Sequence, residues 1–66
     1  MITIGEQIAC VKREIGLRRR LYPRFVKGGR FTQEFADDEI ANMEAVLATL
    51  KNVAAEQEAK VNPPLL

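Results

Sequence analysis

Apolar residues recur along the first third of the chain at alternating spacings of four and three. Ile4, Ile8, Val11, Ile15, Arg18 and Tyr22 form one such row, with an arginine as its one charged member. This period marks one face of an α-helix and resembles a heptad seam. Thr3 stands where an N-cap belongs, and Glu6 three residues later completes a capping-box pattern. Pro23 is expected to end or kink this helix, because its ring clashes with the preceding turn and draws Tyr22 out of the α region. A second row (Ala36, Ile40, Met43, Leu47, Leu50, Ala54, Gln57, Val61) keeps the same alternation. It predicts a longer helix, with Thr32 as its N-cap and Phe31 stapled onto its first turn. Glu34, Asp37, Asp38 and Glu39 follow, where the helix dipole favours acids. Asn62-Pro63-Pro64 is expected to stop this helix, leaving Leu65-Leu66 as a tail.

Between the rows lies a connector from Pro23 to Phe31. Arg24 to Lys27 fit a short helical turn, and Gly28-Gly29 are expected to supply positive φ values that reverse the chain. The expected architecture is all-α: one antiparallel two-helix hairpin, with helices over about 3–22 and 32–61, connector 23–31 and tail 62–66.

Each helix is broader in apolar surface than one seam requires. The first adds Cys10, Leu17 and Leu21, roughly 120° around from the seam at ~100° per residue. The second adds Val46 and Val53. A chain of 66 residues buries only a small share of its surface by itself. These five residues are therefore the expected interface of a homo-oligomer, a dimer or higher, built as a four-helix or larger bundle.

Composition narrows the chemistry. There is no His, and Cys10 is the sole cysteine. This argues against a disulfide framework, a structural zinc site and a His-activated nucleophile, so neither enzymatic activity nor a cofactor is expected. No apolar run reaches the ~18–20 residues of a membrane span. Glu6 breaks the apolar start, so no signal peptide is read and a cytoplasmic location is expected.

Net charge is +1, but its distribution is lopsided. Lys12 to Arg30 holds eight Lys or Arg against Glu14, whereas Phe31 to Glu58 holds seven acids against Lys51. The halves either neutralise each other or serve an anionic partner. The candidate ligand-binding set is Arg18, Arg19, Arg20, Tyr22, Arg24, Lys27 and Arg30. Arginine forks grip phosphate or carboxylate, and aromatic faces stack on bases or guanidinium groups. An anionic small ligand or an acidic protein surface fits this set ahead of a duplex, because the acidic helix lies against the basic one.

The stretch "ACVKREIGLRRRLYPRFVKGGRFTQEFADDEIANMEAVLATL", Ala9 to Leu50, covers about two-thirds of the chain. It resembles a family of small uncharacterised phage and prophage proteins of proteobacteria. Arg19, Tyr22, Pro23, Arg24 and Phe25 carry the resemblance in the first helix and its end. Gly29, Arg30, Phe31 and Thr32 carry it through the turn, and Glu39, Ile40, Met43, Glu44 and Ala45 in the second helix. Gly28 and the residues after Ala54 depart from the pattern. The resemblance implies a non-enzymatic accessory protein, acting in the host cytoplasm, that sequesters or inhibits a host component. An anti-defence role on a nucleotide-like ligand or a grip on a host protein would both fit it.

Overall fold

The computed structural model describes residues 1–61; the expected helix stop at Asn62-Pro63-Pro64 and the tail leucines lie outside them. Two helices, α1 (Ile4–Lys27) and α2 (Gln33–Val61), pack against each other as a hairpin. Thr3 caps α1, its Oγ1 accepting from the Glu6 N–H at 3.1 Å. Thr32 does the same for α2, accepting from the Phe35 N–H at 3.1 Å. Each bond satisfies an amide that the first helical turn would otherwise leave without a partner.

α1 does not end at Pro23. It runs through the proline to Lys27, so Arg24 to Lys27 belong to the helix and the connector shrinks to Gly28–Thr32. The missing proline N–H and the ring's steric cost are offset by aromatic packing that needs this last turn. Phe25, on that turn, lies 6.2 Å from Tyr22 and 5.2 Å from Phe31, centroid to centroid. Phe31 also meets Tyr22 edge-on at 5.1 Å and Phe35 at 4.8 Å, so it acts as the expected staple and as the hub of a four-ring cluster.

The turn itself is a Schellman motif. The Arg30 N–H reaches back to the Phe25 carbonyl at 2.9 Å, and the Gly29 N–H to the Val26 carbonyl at 3.1 Å. Only Gly29 is left-handed, with φ 79°; Gly28 has φ −80°, so the expectation of positive φ at both glycines is corrected. The Arg30 guanidinium sits 4.7 Å from the centre of the Phe25 ring, where this motif ordinarily places an apolar contact.

Along the hairpin the two seams meet as their spacing requires as far as Ala54; Gln57 of the expected row is exposed, and the Val61 side chain lies outside what the structure describes. Ile15 and Ala36 are the two buried residues among those described, 6% and 2% exposed. Ile4, Ile8, Val11, Ile40, Met43, Leu47, Leu50 and Ala54 are half-buried. Gly16 does not mark a close helix approach, for a Cβ built there meets nothing within 4 Å. Two glycine-to-alanine exchanges should therefore have opposite signs in urea unfolding. Gly16→Ala should stabilise by ~1 kcal/mol through helix propensity. Gly29→Ala should destabilise by about 1–2 kcal/mol, because alanine resists the left-handed region.

Candidate binding surfaces

The hairpin measures 54 × 24 × 14 Å. Its thin dimension is little more than the ~10–12 Å diameter of one helix, so it is a single layer with two broad faces and two edges. Domains are ordinarily built from at least two packed layers.

One broad face is charged. Arg19 of α1 bridges Glu44 of α2 there, so part of the expected neutralisation between the halves is realised. The other broad face is mainly apolar, although the Glu14–Arg18 pair lies on it. Ile2, Glu6, Gln7, Cys10 and Val11 line a groove of about 420 Å³ there together with Val46 and Leu50 of α2. Leu17 and Leu21 continue the row of Cys10 along α1, and Phe35 and Val53 lie in the row of Val46 along α2. Cys10, Leu17 and Val46 are exposed, whereas Leu21 and Val53 are half-buried. All five residues expected at an interface thus fall on one side of the hairpin. Phe35, 46% exposed, belongs with them and was not anticipated. Its spacing of eleven residues from Val46, three helical turns, is the signal that identifies it.

The seven candidate ligand-binding residues do not converge on one cavity. Arg18, the arginine in the seam, is held within its own helix. Its Nη1 donates to Glu14 Oε2 at 2.7 Å and its Nε to the Tyr22 hydroxyl at 3.1 Å. The Tyr22 hydrogen bond, with the nearby Glu14 carboxylate, raises the Arg18 pKa against the opposing effect of burial. Arg18 therefore meets no acid of α2, and this internal ladder accounts for a charge on the seam. Arg19 is committed to Glu44, Arg30 to the Phe25 ring, and Tyr22 to the aromatic cluster. Arg20, Arg24 and Lys27 remain, all exposed and without an ion-pair partner among the described residues.

Among the described residues no group of His, Cys, Asp and Glu is placed to hold a metal ion. Among those same residues no helix is long and apolar enough to cross a membrane. No family model, curated protein or solved structure matches the chain, so the resemblance to small phage proteins gains no support from relatives.

Proposed function

We propose that this chain is a non-enzymatic binding protein that works as a self-associated bundle of hairpins. The apolar broad face is buried between copies, and the basic outer surface of α1 is left free for an anionic partner. The observation that carries this reading is the one-sidedness of the layer. Among the described residues beyond the terminal Met1, the exposed large hydrophobic residues are Ile2, Leu17, Phe35 and Val46; Ile2 and Val46 line the groove, Phe35 follows the row of Val46, and Leu17 stands where that face meets the outer edge of α1. Contiguous apolar exposure of this kind marks an interaction surface.

A second copy is the proposed occupant, because a 66-residue chain rarely holds a sufficient core by itself. Two hairpins joined through this face make a four-helix bundle and supply the missing second layer. In a phage setting, as the resemblance implies, the anionic partner would be a host component.

Cys10 reports on this face directly, since its thiol is exposed in a single hairpin. Alkylation should slow about tenfold or more when the pure protein is concentrated into the range where it associates, because a thiol enclosed by a partner is shielded from reagent. Unchanged reactivity in the purified protein at every concentration would instead assign the apolar face to a different protein.

A further inference from the structure

The three free cations of the candidate set share a helix face with a fourth, Arg13. Arg13, Leu17, Arg20, Arg24 and Lys27 follow 4-3-4-3 spacing. At 3.6 residues per turn they fall within an arc of about 80°, centred roughly 180° from the Ile4–Tyr22 seam. The stripe thus runs along the outer edge of the hairpin, away from α2, and meets the apolar broad face at Leu17. All four cations are exposed, and no acid occupies the arc from Arg13 to Lys27. At 1.5 Å per residue the line is ~21 Å long and as rigid as its helix. Gly16 lies at its margin without a side chain, and a shallow depression of about 580 Å³ lined by Arg13, Leu17 and Arg20, with Glu14 at its far side, opens there.

We infer that this stripe docks on the phosphodiester backbone of a nucleic-acid duplex, without reading base sequence. Charge complementarity carries the assignment: a straight run of four cations, three of them arginines, matches a rigid line of phosphates. A nucleotide-sized ligand would need the cations converging on one cavity; Arg13 and Arg20 share the depression with Glu14, whereas Arg24 and Lys27 continue the row beyond it. Single strands are gripped by aromatic stacking platforms. Here the described rings Tyr22, Phe25, Phe31 and Phe35 pack on one another at the hairpin tip, and none stands in the stripe.

The inference rests on reading the basic surface of α1 as a binding surface, and it does not depend on self-association. The test is fluorescence anisotropy of the full chain with a labelled 20-base-pair duplex of mixed sequence, between 50 and 200 mM salt. Four phosphate contacts predict a slope of log K against log salt near −3.6, about a 150-fold loss of affinity over that range. A duplex of scrambled sequence should bind equally. Arg20→Gln with Arg24→Gln should halve the slope to roughly −1.8. Lys51→Gln, on α2, should leave it unchanged, with sedimentation showing all variants in the same state of association. A single strand binding as tightly as the duplex would overturn the assignment. So would polyglutamate binding, with the same dependence on Arg20 and Arg24, in the absence of duplex binding; an acidic protein would then be the partner and the broader reading would stand. Binding of none of these probes would remove both.

Discussion

Val46→Glu is expected to abolish self-association. Val46 lies at the middle of α2, 45% exposed on the apolar face and lining the same groove as Cys10 and Leu50. A carboxylate placed there would be enclosed by the partner without a compensating charge. Leaving a buried charge unpaired costs about 3–5 kcal/mol. Each 1.4 kcal/mol is a factor of ten, so dissociation should rise by a hundredfold or more. In a symmetric pair the substitution enters from both sides, which increases the effect. Sedimentation velocity would read the change in mass and circular dichroism the accompanying loss of helix. Asn52→Glu, on the outer edge of α2, should change neither. Retention of the wild-type mass by Val46→Glu would place the interface elsewhere.

Ile15→Ala should produce the largest loss of stability from a single truncation in the seam. Among the described residues Ile15 is the one large side chain that the hairpin buries by itself, with 6% exposed. Its position on the inner face of α1 makes it the keystone of the contact with α2. Removing three buried carbons and leaving a cavity costs about 2–5 kcal/mol. Short chains rarely hold more than ~3–5 kcal/mol from one core, so the substitution should reduce or abolish cooperative unfolding in urea. Leu17→Ala, on the same helix but 39% exposed in the single hairpin, should affect association before it affects the hairpin. The two variants therefore separate the inner seam from the outer face. Equal losses of hairpin stability from both would show that they do not form distinct surfaces.

Helix position was legible because caps and periods act locally. Thr3 and Thr32 accept the amides their places in the sequence require. The 4-3 rows meet as seams for the same reason. The passage through Pro23 was not legible, because it depends on Phe25, Phe31 and Tyr22 meeting in space, and Phe31 arrives only after the chain has turned. Local propensity alone ends the helix there; tertiary packing carries it one turn further.

The basic cluster was legible as composition and not as geometry. Seven neighbours in sequence became three residues committed to their own chain, one aromatic in a packed cluster and three free cations. Arg18 shows why: its partners Glu14 and Tyr22 stand four residues away on either side, within its own helix, so the seam tolerates the charge without help from α2. Arg13 belongs to the basic segment but not to the candidate set, although its spacing to Arg20 and Arg24 is already present in the sequence. The apolar face was read more completely. Cys10, Leu17, Leu21, Val46 and Val53 need only the helical period to be grouped, and Phe35 shares that period with Val46 although Glu34 and Asp37 flank it.

Sedimentation equilibrium of the unmodified chain at micromolar concentration tests the two-layer account most directly. A mass of at least twice the 7.4 kDa chain is predicted, with helix content falling as dilution separates the copies. A stably folded species of 7.4 kDa under the same conditions would contradict it.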